Sequence, residues 1–314
     1  MADTDSNYSE KIPTTSVALA KLAIIFSCVL WGTTGTAASF IQGISSLAVG
    51  AFAMGVSGLL MGLYRLRQLL KERRRLQQCW RLILCGGLAV MIYPLAFYSS
   101  MSLAGVAVGT VISLACAPFF SALLEVCIDG KTISKQWWQS FVICAGGIVL
   151  LTLSKQSLPQ QSSDTDYLLG IMLGLVAALS YAGYSWAAKS MIELGVSSGS
   201  AMAVMFAFAS AVLIPGLMFS DEQLFASSIN TTALLYLAFI PMFIGYIAFA
   251  YGLRVVSASQ ATLITLLEPV IAAVLAVMIV GERFATIGWL GIVLIISGLL
   301  WQSCAGKEPE KNAS

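Results

Sequence analysis

Histidine is missing from all 314 residues. That removes the commonest metal ligand and the side chain that ordinarily carries protons near neutral pH. Charge is nearly missing too. Asp, Glu, Lys and Arg together make up 10% of the chain, against about a quarter in soluble globular domains. There is no glycine-rich phosphate loop, no HExxH, no histidine-dependent triad and no ATPase domain. No enzymatic activity, catalytic residue, metal or cofactor is therefore expected. The seven cysteines include no CxxC pair and fall mostly in apolar stretches, so they read as buried, reduced, small hydrophobes. The opening stretch, MADTDSNYSEKIPTT, lacks the basic start and small-residue cleavage site of a secretory signal. The first apolar segment is expected to stay as a membrane helix. A formal net charge of +2 gives no reason to expect a nucleic-acid partner.

What is abundant is apolar surface. Hydrophobic residues are 58% of the chain and the mean hydropathy is +0.87. No soluble protein of this length has an interior large enough to hide that much. About twenty apolar residues span a bilayer as a helix. Ten such runs lie near 20–40, 44–64, 82–102, 105–127, 137–154, 168–188, 198–219, 232–252, 258–280 and 285–303. They are apolar on all sides, which excludes the alternating pattern of a membrane β-barrel. The expected fold is an all-α, multi-pass membrane protein.

The cations set its orientation. With a cytoplasmic N-terminus and ten spans, fifteen of the 17 Lys and Arg face inward, including the dense run from Arg65 to Arg81. Only Lys155 and Arg283 face outward, and both termini are cytoplasmic. The dense run reads as an ordinary cytoplasmic loop, with an anionic-lipid site as the alternative.

The chain divides into a polar tail (1–19), a first five-helix unit (20–154), an external linker (155–167), a second five-helix unit (168–303) and a C-terminal tail (304–314). Shifting by 151 residues aligns Pro118 with Pro269, Ala122 with Ala273, Gly130 with Gly281, Trp138 with Trp289 and Gly147 with Gly298. Five spans per unit is odd, so the second copy enters the membrane from the opposite side. This is an inverted repeat, the architecture of secondary transporters, with a site expected near the midplane.

Five prolines lie inside spans: Pro94, Pro118, Pro215, Pro241 and Pro269. Each frees the carbonyl four residues earlier. Pro118 and Pro269 are repeat-related, expected to kink their helices and to release the carbonyls of Leu114 and Thr265. Glu268 is the one acidic residue deep within a span. Such groups usually face a bundle interior or a cavity. The alternative is a structural hydrogen-bond acceptor. Its repeat-mate is Ala117, so the halves differ chemically. Glu125, near the end of its span, is expected at the interface, paired with Lys131 or Lys135. Trp31, Tyr93, Phe97, Tyr98, Tyr181, Tyr184 and Tyr246 lie in or near the ends of spans, where they either pack or line a cavity. Asn230-Thr231-Thr232 has the form of a glycosylation sequon in an external loop.

With "VLWGTTG" at Val29–Gly35, "LLEPVIAAVLAVMIVGE" at Leu266–Glu282 and the duplicated five-helix unit, the chain resembles the EamA family of the drug/metabolite transporter superfamily. The resemblance implies a basket of ten helices around a central cavity lined by the first four of each half. The fifth helices would be peripheral and support packing or dimerisation. By position, Trp31, Thr33, Thr34, Tyr93, Tyr181, Tyr184, Tyr246, Thr265 and Glu268 would be the cavity candidates. The first repeat departs from the Glu-Pro pattern, with Cys116-Ala117-Pro118. The activity expected first is export of amino acids or similar zwitterions across a bacterial inner membrane by alternating access. Second comes proton-coupled export of lipophilic cations. Nucleotide-sugar or sugar-phosphate exchange ranks last, because almost no cation sits at mid-depth. The expected partners are a small-molecule substrate and the lipid bilayer, with the chain a monomer or a homodimer.

Overall fold

The computed structural model describes residues 16–154, 164–220, 222–280 and 285–304. The tails before 16 and after 304, the connection 155–163, Asp221, and Gly281, Glu282, Arg283 and Phe284 lie outside the described residues.

Among the described residues, ten helices are long and apolar enough to cross a membrane. They are α1 (Val17–Ala38), α2 (Ser46–Lys71), α3 (Trp80–Ala104), α4 (Val108–Cys127), α5 (Lys135–Leu153), α6 (Asp164–Glu193), α7 (Ser198–Leu217), α8 (Ser228–Gly252), α9 (Ala258–Ile279) and α10 (Thr286–Ser303). A backbone in hydrocarbon has to satisfy its own polar groups, which is why every span is helical. Serines start several of them. The hydroxyls of Ser16, Ser45, Ser134 and Ser257 accept from the backbone N–H of Leu19, Ala48, Trp137 and Gln260, filling donors that a helix start leaves open.

The expected boundaries shift in three places. α1 begins at Val17, so residues 17–19 are helix rather than tail. α6 begins at Asp164, so 164–167 belong to the helix and not to the linker. α2 runs on to Lys71 and is followed by a short helix, Arg73–Gln78. The basic run is therefore largely helical, not a loop. We call the end of the molecule that carries it the basic face.

The packing pattern is unchanged when the two halves are exchanged. α2 lies along α7, α4 along α9, and α5 along α10; each pair joins repeat-equivalent helices. α3 lies along α6 and α1 along α8, and these two pairs map onto each other. Polar clasps follow the same rule. At the basic face, Glu72 beyond α2 accepts from the N–H and hydroxyl of Ser197, the N-cap of α7. At the opposite face, Glu222 beyond α7 accepts from the N–H of Ser45, the N-cap of α2.

Glu125 breaks the pattern and corrects an expectation. It does not pair with Lys131 or Lys135. It is 1% exposed, and its carboxylate accepts from the backbone N–H of Ala258 at 2.8 Å, from the N–H of Ser259 and from the Ser259 hydroxyl. A carboxylate from α4 thus caps the start of α9, where the backbone donors and helix dipole favour negative charge. The repeat-mate of Glu125 is Ala276, so among the described residues the other face has no equivalent clasp. Lys131 instead reaches Glu193 at 3.0 Å and Asp129 at 3.3 Å.

Close approach rests on small residues. A Cβ on Gly58 of α2 would stand 2.2 Å from the Phe206 carbonyl oxygen of α7. With no hydrophobic force between helices in lipid, such contact is what holds them together. The sequon asparagine is also structural. Asn230 is buried and bonds both ways to the backbone of Gln42, so no loop presents it.

Candidate functional site

Glu268 lies ten residues into α9. At 1.5 Å per residue that is about 15 Å, half the hydrocarbon thickness. The two repeat-related prolines behave differently around it. Pro118 sits within an α-helix that runs uninterrupted from Val106 to Cys127. Pro269 follows a short 3-10 segment, Thr265–Leu267, and occupies the first turn of the next α segment. That first turn tolerates proline, since its N–H would have no partner anyway. The Thr265 carbonyl, released by Pro269, is not left free: it accepts the Glu268 N–H. The two prolines therefore differ in local backbone: Pro269 follows a 3-10 break placed where it sets the direction of the Glu268 side chain, whereas Pro118 lies in continuous α-helix. Pro241 is a third case, lying in a π-helical stretch of α8, Ala238–Ile244.

Glu268 borders a cavity of about 100 Å³ between the halves. Seven of the nine sequence candidates share that cavity: Trp31, Thr34, Tyr93, Tyr181, Tyr184, Tyr246 and Glu268. The other two do not line it. Thr265 sits behind Tyr181, whose hydroxyl donates to the Thr265 Oγ1 at 2.9 Å. Thr33 closes a turn at the end of an α segment, and its hydroxyl meets Tyr236 Oη at 2.9 Å in a separate groove.

The aromatic rings form one connected wall. Tyr181 stacks on Tyr184 with centroids 5.3 Å apart, and Tyr93 leans on both at 5.6 and 6.1 Å. Trp31 lies 4.8 Å from Tyr246. Most polar tips are already held. Trp31 Nε1 donates to the Pro241 carbonyl at 2.9 Å, and Ser27 donates to the Gly245 carbonyl at 2.8 Å, which fastens α1 to the π-helical turn of α8. The Tyr184 and Tyr246 hydroxyls bond each other at 2.9 Å. Thr34 donates to the Trp31 carbonyl. Glu268 differs: among the described residues its carboxylate has no hydrogen-bond or ion-pair partner, and no Lys or Arg lines the cavity.

Toward the basic face the interior is filled. Met61, Met202, Met205, Phe206, Phe249 and Leu253 are fully buried there. The lining reaches the other way, through Gly50 near the start of α2 and Tyr98 late in α3.

Seven lining residues were not among the candidates: Gly50, Ala53, Met54, Pro94, Phe97, Tyr98 and Met242. Phe97 and Tyr98 carried a signal, as aromatics near the proline of α3. Met54 and Met242 carried none, being ordinary apolar residues in apolar spans. Gly50 matters by what it lacks. A Cβ there would fall 2.2 Å from the Tyr98 ring, so the glycine lets that ring lie flat against α2.

Comparison with known proteins agrees with this architecture. The EamA-like transporter family matches residues 18–153 and 168–304, one copy for each five-helix half. The chain is 30% identical over 290 residues to the uncharacterized transporter YwfM of Bacillus subtilis (strain 168), covering 91% of this chain and 94% of that protein. It is 29% identical over 235 residues to an uncharacterized transporter of Clostridium kluyveri, covering 72% of this chain and 73% of that one. A solved crystal structure shares the fold at a TM-score of 0.78 and 16% identity, covering 92% of this chain and 98% of the other. Ten membrane-spanning helices, two matched repeats and a central cavity between them place the assignment beyond the fold alone: the chain belongs to the EamA-like transporter family.

Proposed function

We propose that the protein exports small organic amines across a bacterial inner membrane by alternating access, with Glu268 as the group that holds the ammonium. The observation that carries this reading is the lone, unpartnered carboxylate in an aromatic cavity without any cation. A buried carboxylate needs a counter-charge or a proton. An organic ammonium supplies the charge, and aromatic faces add a cation–π contribution of roughly 0.5–2 kcal/mol. A monocation on ionised Glu268 leaves the cavity neutral. A zwitterionic amino acid brings a second carboxylate, and the lining offers it only hydroxyls. The cavity therefore favours amines over amino acids, reversing the order suggested by the sequence. At about 100 Å³ it holds on the order of three waters, the scale of a small alkylamine.

Loss of the substrate leaves Glu268 needing a proton, so exchange of amine for proton follows from the same site. Alternating access is supported by the filled interior at the basic face and by clasps between halves at both faces. The relatives' bacterial origin supports the choice of membrane.

The test is a proteoliposome assay with a labelled small alkylamine and a panel of labelled amino acids. Amine flux that dissipates a pH gradient is expected. In Glu268→Gln, uphill accumulation should be lost. Amino-acid flux that the amine does not compete with would overturn the reading.

A further inference from the structure

A second site lies outside the cavity, at the lipid-facing seam where α1, α9 and α10 meet near the basic face. A groove of about 200 Å³ runs there along the helices. Its polarity is graded with depth. Lys21 on the second turn of α1, Gln260 on the first turn of α9 and Gln302 in the last turn of α10 line its outer end. Ile25, Ile264 and Leu299, each about one turn deeper in the membrane, line its inner end.

Two polar groups at the outer end are unpartnered among the described residues. The Lys21 ammonium is partly buried and makes no ion pair, and no carboxylate lines the groove. The Gln302 Oε1 is buried with no hydrogen-bond donor. One asks for an anion and the other for a donor. An apolar slot continues directly beneath them.

We propose that this groove binds one anionic glycerophospholipid from the leaflet at the basic face. Its phosphate sits on Lys21, a head-group hydroxyl donates to Gln302 Oε1 once the amide turns toward the groove, and one acyl chain follows Ile25, Ile264 and Leu299. Acyl burial does not select the lipid, because bulk bilayer buries the chain equally well. Selection rests on the head group. A single lysine near an anionic surface is worth roughly a fivefold preference over a zwitterionic lipid. The site joins α1 of the first half to α9 of the second, the helix that carries Glu268. It is independent of which solute the cavity takes.

Native mass spectrometry of the full-length chain tests this. The purified protein is titrated with phosphatidylglycerol, phosphatidic acid, phosphatidylcholine and inorganic phosphate. The first adduct is expected to favour phosphatidylglycerol over phosphatidylcholine by roughly fivefold. Lys21→Gln should abolish that preference, while Arg81→Gln, an exposed change on the same face outside the groove, should leave it intact. Gln302→Leu should remove the advantage of phosphatidylglycerol over phosphatidic acid, which lacks the head-group hydroxyls. Equal retention of phosphatidylglycerol and phosphatidylcholine, or equal loss in Lys21→Gln and Arg81→Gln, would overturn the site. Displacement of the lipid by inorganic phosphate at equal concentration would make it an anion site and overturn the lipid assignment.

Discussion

Replacing Glu125 by alanine isolates the clasp between α4 and α9. The carboxylate is 1% exposed and accepts from two backbone N–H groups and one hydroxyl. Alanine leaves the N–H groups of Ala258 and Ser259 without an acceptor in a buried place. Each stranded donor costs about 1–3 kcal/mol. The Ser259 hydroxyl falls back on Ser257, 3.2 Å away, which limits its share. The Ser259 N–H bond is long at 3.4 Å and weak to begin with. A total of about 2–4 kcal/mol follows from those penalties. For a chain of this size that is a fall in Tm of roughly 4–8 °C, read by thermal unfolding in detergent. Glu125→Gln keeps an acceptor oxygen and loses the charge, so it should fall about half as far. A double-mutant cycle with Ser259→Ala should show a coupling of about 1–2 kcal/mol. A Tm for Glu125→Ala within about 1 °C of the parent, or a cycle with no coupling, would refute the clasp.

Other outcomes follow from the same geometry. Gly50→Ala pushes the Tyr98 ring toward the cavity and should weaken amine binding several-fold in a transport competition assay while barely moving Tm. Gly58→Ala sets a Cβ against the Phe206 carbonyl, backbone against backbone, and should cost about 1–3 kcal/mol of overpacking in thermal unfolding. Trp31→Phe keeps the ring and removes the donor to Pro241; about 1–2 kcal/mol should be lost, with substrate affinity reduced in the same competition assay. Lys131→Ala removes ion pairs that are partly exposed, so its effect should stay below about 1 kcal/mol and shrink further in salt.

The fold was legible because hydrophobic runs in a membrane protein are continuous and cations mark their ends. A shift of 151 residues exposed the duplication even though few identities survive. Glu268 was legible for the same reason: one charge in an apolar run has little to hide behind. The partner of Glu125 was not legible. Ala258 and Ser259 lie more than 130 residues away and carry no complementary charge, while Lys131 and Lys135 sit nearby and suggest themselves. Thr33 and Thr34 show the limit of assigning residues by position. They are adjacent, yet a helical step of about 100° and a turn at Thr33 send them to different spaces. Pro118 and Pro269 show it again, since only the second follows a 3-10 turn. Met54 and Gly50 were invisible because one is chemically ordinary and the other has no side chain at all.

The clasps found at the two faces have a consequence for timing. The α2–α7 clasp occurs twice, once at each end, with two bonds to Glu72 at the basic face and one to Glu222 at the other. Among the described residues the α4–α9 clasp occurs once, at the basic face, because Ala276 stands where a second glutamate would be needed. In the alternating-access cycle proposed above, two doors with unequal bolts would not idle evenly: the resting state would be the one with the α4–α9 bolt closed, and drawing it would be the slow step.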